Sequence, residues 1–351
     1  MTPPFADPAA LERIEDVAQL EELLSRPTPE VVETMRRLEG DLIILGVGGK
    51  TGPSLARMAR RASDAAGVTR RIIGVSRFSQ PGLRERLAAD GIETVACDLL
   101  DRAQVAALPD APNVIFSAAY KFGATGSAAL TWAMNTHVPA LVAERYADAR
   151  VVAYSSGNVY PLTPVTGPGS RESDPVAPLG EYAMSVVGRE RMFAWFSETR
   201  GTPVALVRLF YANEMRYGTL RDIGEQVLAG KPVELAMGWF NAIWQGDSNA
   251  LTLRCFDHVA RPPWVVNLTG PERLSVREVA GTFGRLWGKP VRFTGREAPD
   301  ALLADARYGH QTLGRPRVSA EKMIVWLADW LQRGGPSLKK PTHFQTRDGK
   351  F

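Results

Sequence analysis

The stretch Leu42–Gly52, LIILGVGGKTG, decides the fold of this chain. Its first four residues, Leu42–Leu45, form an apolar run of the length that one buried parallel strand requires. The glycine-rich turn leads directly into PSLARMA, residues 53–59, which we interpret as the first turns of a helix. Such a turn forms a phosphate cradle, because small residues let the backbone approach a pyrophosphate and free N–H groups at the helix start point towards it. A tight turn without a ligand is the alternative interpretation.

The composition excludes several classes of protein. The chain has 351 residues, of which 45% are hydrophobic and 23% charged, so it is typical of a soluble protein and long enough for two lobes. No apolar run approaches the roughly 18 residues of a membrane span, and the N-terminus lacks the apolar core of a secretory signal. We therefore predict a cytoplasmic protein with no membrane partner. Cys97 and Cys255 are predicted to be reduced thiols, and the four histidines lack metal-ligand spacing, so no metal site is predicted.

The net charge of +4 bears on the choice of partner. No compact run of Lys and Arg with interleaved aromatic residues is present, which argues against a nucleic-acid partner. A diffuse positive excess favours an anionic cofactor or substrate, although a role in solubility alone explains it equally well. We predict a small-molecule substrate that is anionic or sugar-like.

Predicted strands and helices alternate after the glycine turn. Strands are expected at 70–77, 92–98, 113–119 and 150–156, and a helix over 131–146 is expected to kink or split at Pro139. The alternation predicts an α/β fold, a doubly wound parallel (Rossmann) sheet with a smaller C-terminal substrate lobe.

The same pattern suggests a division of the chain. We predict a helical N-terminal extension (1–40), an NAD(P)-binding Rossmann domain (41–212) and a substrate-binding lobe (213–351), some of whose segments return to the Rossmann domain. The polar tail from Pro341 onwards is expected to be a loose arm.

The end of the second strand indicates the coenzyme. In dinucleotide folds an acid about 20 residues beyond the glycines binds the ribose 2′-hydroxyl of NAD. This chain has Ser76 and Arg77 at that place, and Lys50 adds a cation nearby. A hydroxyl and a guanidinium suit a 2′-phosphate better, so we predict that NADP is preferred and NAD possible. The alternative is that Arg77 is a solvated loop residue.

These motifs, in this order, resemble the extended short-chain dehydrogenase/reductase superfamily, specifically its NAD-dependent epimerase/dehydratase branch, over about residues 41–335. The family's three glycines, three apart, match the glycine turn, and SSGNVYP at 155–161 is similar to its SSxxVYG segment. The resemblance implies a catalytic hydroxyl on Ser156, a catalytic tyrosine at Tyr182 and the family's helix asparagine at Asn135. The predicted coenzyme-binding residues are Gly46, Gly48, Gly49, Lys50, Thr51, Gly52, Ser76, Arg77, Asp98, Leu99, Ala118 and Ala119.

One departure from the family pattern concerns the catalytic tyrosine. The family has YxxxK, whereas Val186 occupies the lysine position here. That lysine holds the nicotinamide ribose and favours the deprotonated tyrosine, which a valine cannot do. Lys121, at the end of the strand 113–119, is our first candidate for a substitute, and Arg189, two helical turns after Tyr182, is the second. For both, an ordinary surface charge is the alternative.

Two functions follow from these residues. The first is an NAD(P)-dependent epimerase, dehydratase or reductase that acts by hydride transfer on a sugar-like or other hydroxylated substrate, with Ser156, Tyr182, Lys121 and Asn135 as its catalytic residues. The second is a non-catalytic NAD(P)-binding sensor that kept the fold. The resemblance also implies a homodimer through the helices that carry Tyr182 and Asn135.

Overall fold

The computed structural model describes residues 7–121 and 123–350, so residues 1–6 of the predicted extension lie outside the described residues. It confirms the predicted α/β class. In the described residues the strands are β1 (Leu42–Leu45), β2 (Ile72–Ser76), β3 (Glu93–Ala96), β4 (Asn113–Phe116), β5 (Arg150–Ser156), β6 (Thr163–Pro164), β7 (Val204–Leu209), β8 (Tyr211–Asn213), β9 (Val233–Glu234), β10 (Trp239–Trp244), β11 (Trp264–Leu268), β12 (Arg273–Ser275), β13 (Phe293–Thr294) and β14 (Asp300–Ala301).

The α-helices begin after residues that suit helix starts. Asp16 and Thr28 accept hydrogen bonds from backbone N–H groups of the first turn in the first two helices. The α-helices of the described residues are α1 (Val17–Leu24), α2 (Pro29–Arg37), α3 (Gly52–Ala65), α4 (Leu83–Ala89), α5 (Arg102–Ala106), α6 (Ala128–Trp132), α7 (Val138–Arg145), α8 (Gly180–Arg200), α9 (Thr219–Leu228), α10 (Gln245–Arg254), α11 (Val276–Trp287), α12 (Arg307–Leu313) and α13 (Ala320–Gln332).

Seven parallel strands form the central sheet, in the order β11–β7–β5–β4–β1–β2–β3. The chain moves outward from β1 in one direction through β2 and β3, and then returns to β4 on the other side. This reversal creates a crevice between the carboxyl ends of β1 and β4, where ligands bind in open α/β sheets.

The side chains of β1 explain why it lies at the centre. Leu42 and Ile44 belong to the core on one face of the sheet, whereas Ile43 and Leu45 belong to the core on the other. All four are fully buried, as expected for a strand covered by helices on both faces. Helices α2, α3 and α10 pack on the first face, and α5, α7 and α8 pack on the second.

The second lobe contains α9, α11, α13 and a three-stranded sheet with the order β12–β10–β8. Its segment β11 returns to the central sheet and pairs with β7. The N-terminal extension contacts both lobes. Helix α1 shares the core of the second lobe, and α2 packs against α3 and α10.

The predicted helix 131–146 is split, but not at Pro139. Residues Ala133–His137 form a π-helical turn between α6 and α7, and Pro139 lies in the first turn of α7. Proline is well tolerated at that place, because the N–H group that it lacks would have no partner within the helix. The turn instead places Asn135 against the end of β4, as described below.

Candidate active site

The glycine turn packs too tightly for side chains. Gly46 has a φ of +97°, and a Cβ there would lie 2.6 Å from the backbone nitrogen of Ala118. A Cβ on Gly48 would overlap Ser76 Oγ, and one on Gly52 would overlap the carbonyl oxygen of Val47. The turn therefore presents bare backbone between the ends of β2 and β4, which fits the close approach of a pyrophosphate.

Helix α3 begins directly after this turn. Thr51 precedes its first residue and gives it no side-chain cap, and Pro53 lies in its first turn. The N–H groups and partial positive charge of this helix end face the crevice and suit an anion. The structure thus brings Gly46, Gly48, Gly49, Thr51 and Gly52 together as predicted from sequence.

A cavity of about 240 Å³ lies at the carboxyl ends of β5 and β7 beside this turn. It brings together three of the four predicted catalytic residues with two residues of the glycine turn. Its lining is Lys50, Thr51, Lys121, Ser155, Ser156, Gly157, Asn158, Tyr182, Leu209, Phe210, Tyr211, Ala212, Tyr217, Thr219, Gln245, Leu302 and Thr342.

Lys121 and Tyr182 are neighbours in this cavity. The Lys121 ammonium lies 5.3 Å from the centroid of the Tyr182 ring, over its face. Burial lowers the pKa of Lys121 to about 8, because a low-dielectric surrounding penalises its charged form. Lys121 is thus not an ordinary surface charge, and the cation that the sequence pattern lacks after Tyr182 is present on the strand side of the ring.

Ser156 ends β5 at the cavity. Its hydroxyl accepts the Asn158 N–H at 3.2 Å and donates to Asn158 Oδ1 at 3.1 Å. This short turn fixes the hydroxyl at the strand end, where it can hold a substrate oxygen once the bond to Asn158 is exchanged.

Asn135 lies outside the cavity lining and is fully buried. Its side-chain oxygen accepts from Tyr120 N and from Arg189 Nη2, both at 2.9 Å, and its amide donates to Tyr120 O at 2.9 Å and Ser185 Oγ at 3.0 Å. Asn135 therefore fixes the backbone directly before Lys121. We assign it a positioning role, because these groups occupy its whole amide.

Arg189 is held by hydrogen bonds to groups other than Tyr182, one of them to Asn135. Its guanidinium also donates to the carbonyl oxygen of Tyr154 at 2.8 Å and lies over the ring of Phe116. Burial lowers its pKa to about 10. Arg189 thus supports Asn135 and β5. Of the two candidates, Lys121 is therefore the better substitute for the motif lysine.

Val186 occupies a wholly apolar environment. It is fully buried in a cluster with Val159, Phe210 and Leu302, one helical turn after Tyr182. A lysine at this position would have to place its stem and charge among these side chains, so the valine is an integral part of the packing under the cavity.

Lys50 and Tyr217 form a second lysine–tyrosine pair. The Lys50 ammonium lies 3.4 Å from the centroid of the Tyr217 ring. Its pKa is lowered to about 7, mainly by burial and then by the charges of Lys121 and Lys340, while Asp222 acts in the opposite direction. The sequence analysis assigned Lys50 to the coenzyme but did not identify Tyr217, which only the folded chain brings to the glycine turn.

A wider cleft of about 750 Å³ continues from Lys50 on the other side of the turn. Its walls include Gly48, Gly49, Ser79, Gln80 and Arg86. Arg77, the residue that we predicted from sequence to contact a 2′-phosphate, is exposed directly after the end of β2. Arg86, on α4, was missed because no spacing rule points to a helix surface after the second strand.

The remaining predicted coenzyme residues lie along the same edge of the sheet. Ser76 Oγ accepts the Phe78 N–H at 3.3 Å, and Asp98 Oδ1 accepts the Leu100 N–H at 3.1 Å. Leu99 and Ala118 are buried, and Ala119 is exposed.

A buried ion pair beneath the cavity was also missed. Glu190 forms a bidentate pair with Arg208, at 2.8 and 2.9 Å, and accepts the hydroxyl of Ser155 at 2.5 Å. The Arg208 guanidinium in turn donates to the Tyr160 hydroxyl at 2.6 Å. This network ties α8 to β5 and β7 and so fixes the strand end that carries Ser156.

The comparisons with known proteins agree with this geometry. Residues 42–213 match the NAD dependent epimerase/dehydratase family. The match begins at β1 and ends at β8, so it contains the glycine turn, Ser156 and Tyr182. By sequence, no curated protein matches the chain.

Solved structures of low identity share the fold. MoeE5 in complex with UDP-glucose and NAD matches with 21% identity and a TM-score of 0.68, over 84% of this chain and 99% of that one. UDP-glucuronic acid 4-epimerase from Bacillus cereus, in complex with UDP-glucuronic acid and NAD, matches with 17% identity and 0.69 over the same shares. DesIV, a dTDP-glucose 4,6-dehydratase from Streptomyces venezuelae with NAD and TYD bound, matches with 20% identity and 0.70, over 84% and 97%.

Two further observations concern partners. Within residues 7–121 and 123–350, no helix is long and apolar enough to cross a membrane, and no three His, Cys, Asp or Glu side chains are grouped to hold a metal ion.

Proposed function

We propose that this chain is an NAD(P)-dependent epimerase, dehydratase or reductase that acts on a sugar-like or other hydroxylated substrate. The observation that carries the proposal is one cavity, beside the glycine turn, that Ser156, Tyr182 and Lys121 all line. The match of residues 42–213 to the epimerase/dehydratase family supports it.

The residues present fit a dinucleotide. Bare backbone at Gly46 and Gly48, the uncapped start of α3 and the Lys50 ammonium suit its pyrophosphate. When bound, the nicotinamide ring supplies a hydride acceptor or donor.

The chain's own side chains would manage the proton. Ser156 would hold the substrate hydroxyl oxygen, and Tyr182 would take its proton as the carbinol is oxidised, or return it in reduction. Lys121, held over the Tyr182 ring, would favour the deprotonated tyrosine by its charge. Asn135 and Arg189 would keep the backbone before Lys121 in place.

The test combines binding with turnover. Coenzyme fluorescence is titrated first, and panels of aldoses, ketoses and sugar acids are then screened for absorbance change of reduced nicotinamide. We expect coenzyme binding together with turnover of at least one class that Tyr182→Phe abolishes. Binding without turnover in any panel would contradict the enzyme.

We further propose that NADP is preferred over NAD. The support is Arg77 in place of the usual acid, together with Arg86 in the adjoining cleft. The NAD-bound structures of similar fold do not favour this choice. Replacing Arg77 by alanine should weaken NADP about tenfold, as for one lost charged hydrogen bond, with little change for NAD. Equal losses of affinity for NADP and NAD in this variant would refute the proposed preference.

A non-catalytic NAD(P)-binding sensor is the second candidate. The specific observation in its favour is Val186, buried in an apolar cluster where the family pattern has its lysine. A sensor would bind coenzyme with normal affinity, and neither Lys121→Ala nor Tyr182→Phe would change that affinity.

We also propose a homodimer through α6 and α8. Trp132 and Leu130 on α6, and Met184 and Trp195 on α8, are exposed, and Trp195 is 59% exposed. Such an apolar surface indicates an interface. Phe193, on the same helix α8, is fully buried in the chain's own core and does not belong to this surface. A monomer mass in light scattering at micromolar concentration would contradict the dimer.

A further inference from the structure

The C-terminal residues 336–350, here called the strap, are anchored along their length. The prediction of a loose arm from Pro341 onwards is wrong for the described residues. The Leu338 N–H donates to the carbonyl of Arg216 at 3.0 Å. The N–H and hydroxyl of Thr342 donate to Asp222 Oδ2 at 2.8 and 2.6 Å, and Phe344 is buried in the core of the second lobe.

The outer half of the strap reaches the helix that carries Tyr182. Arg347 forms an ion pair with Asp300 and donates to its carbonyl oxygen at 2.9 Å. Gly349 packs against the backbone of Leu179 and Gly180, so closely that a Cβ on Gly349 would overlap the Leu179 carbonyl. The strap therefore runs from α9 to the start of α8.

This path crosses the candidate active site. Thr342 lines the cavity that contains Tyr182, and Thr346, Arg347 and Gly349 line a neighbouring cavity of about 200 Å³. The two cavities share Asn158 and Leu302 as lining residues. The strap is thus a wall of both, and without it they would open towards solvent as parts of a larger cleft.

The size of the cavity limits the substrate. Its volume of about 240 Å³ is below the roughly 300–1,000 Å³ of pockets that hold drug-sized ligands. It must also accommodate the reacting end of the coenzyme. A substrate that carries a nucleotide would have to extend beyond this cavity, one wall of which the strap forms.

The charge of the cavity limits the substrate in a second way. Lys50 and Lys121 both line it, and Lys340 of the strap acts on Lys50 in the same sense. The acid that acts on Lys50, Asp222, is held by the two hydrogen bonds from Thr342. A carboxylate on the substrate would lie in the positive field of the lysines that line this cavity.

We propose that the strap makes this site selective for a small, carboxylate-bearing hydroxylated substrate and excludes nucleotide-linked sugars. The proposal rests on the proposed function, since it concerns the substrate of that same site. It separates this chain from the solved structures of similar fold with UDP-glucose or UDP-glucuronic acid bound.

The test uses a matched pair of probes, D-glucuronate and UDP-glucuronate, which differ only by the nucleotide. Their binding to the full chain with coenzyme is measured by calorimetry. The strap end is released in the double variant Arg347→Ala/Gly349→Val, which retains Phe344 in the core. Lys350→Ala is the control, because that exposed side chain forms an ion pair with its near neighbour Asp348.

We expect wild type and the control to bind D-glucuronate at least tenfold more tightly than UDP-glucuronate. The double variant should reduce this ratio at least tenfold, mainly by gaining affinity for UDP-glucuronate. Gly349→Val alone, with its thermal unfolding recorded, guards against a folding defect and should move the ratio in the same direction.

Two results would overturn the proposal. The first is that the wild-type protein binds UDP-glucuronate as tightly as D-glucuronate, or does not bind D-glucuronate at all. The other is a folded strap variant with an unchanged ratio. Absence of hydride transfer in every variant would instead refute the proposed function, because the binding ratio does not depend on turnover.

Discussion

The two sides of the Tyr182 ring differ in character. On the helix side, one turn along α8, Val186 is fully buried with Val159 and Phe210. On the strand side, beyond the end of β4, Lys121 places its ammonium 5.3 Å from the ring centroid. The comparison teaches that what matters for a cation beside a tyrosine is its distance from the ring and not its place in the sequence. A lysine one helical turn after the tyrosine can occupy that position, and so can a lysine at the end of a neighbouring strand.

Removal of the tyrosine hydroxyl has the largest expected effect on this comparison. Tyr182→Phe keeps the ring against Lys121 and removes only the group that would move the proton. We expect turnover to fall by roughly 10²–10⁴-fold, the usual scale for a lost acid–base group, while coenzyme affinity, measured by fluorescence, stays within twofold. Full activity of the variant would show that the chemistry lies elsewhere.

A lysine on the helix side should damage the fold. The sequence suggests that Val186→Lys could restore the family pattern if space allows, but Val186 is 0% exposed among apolar side chains. Overpacking alone should lower the free energy of unfolding by about 1–3 kcal/mol, as measured by urea denaturation. Glu198→Lys, at an exposed position of the same helix that is not part of the proposed dimer surface, is the matched control and should change stability little. A stable Val186→Lys variant with raised activity would contradict the claim that the helix side of the ring cannot accommodate a lysine.

A smaller effect concerns the second lysine–tyrosine pair, Lys50 and Tyr217. Because the pKa of Lys50 is lowered to about 7, its amine is mostly neutral at pH 8. A bound anion favours the charged form and raises this pKa, so binding should take up a fraction of one proton at pH 8 and weaken as the pH rises from 7.

The proton uptake is measured by calorimetry of coenzyme binding in two buffers of different ionisation enthalpy. Lys50→Met should abolish most of it, whereas Lys340→Met, a charge that acts on Lys50 from the strap, should leave most of it. Equal heats in both buffers for wild type would contradict a role for Lys50 in anion binding.

The sequence predicts those parts of the molecule that depend on local pattern. The four-residue run before Gly46 requires a strand covered on both faces, and the glycines require a close approach of backbone, so the sheet and the turn follow from neighbouring residues. Lys121 could be predicted as the substitute for the motif lysine, because the strands of such a sheet end at one edge. This prediction required only the topology of the sheet.

Other parts depend on contacts between distant residues. Tyr217 reaches Lys50 only through the path of the second lobe. The strap has the sequence of a polar arm, because its anchors are the single aromatic side chain of Phe344 and several backbone contacts, which leave no apolar pattern. Arg189 has the spacing of a helical neighbour of Tyr182, but it bonds to Asn135 and to the carbonyl oxygen of Tyr154. Asn135 lies in the π-helical turn, which no residue pattern predicts.

The most direct test of the central claim is the single-turnover rate of hydride transfer in Lys121→Ala, with a substrate found in the panels. Our account expects the rate to fall by about 100-fold or more, with coenzyme affinity nearly unchanged. Lys121→Arg, which keeps the charge, should retain more of the rate. Full activity of Lys121→Ala would contradict the claim that the strand side supplies the cation that Val186 cannot.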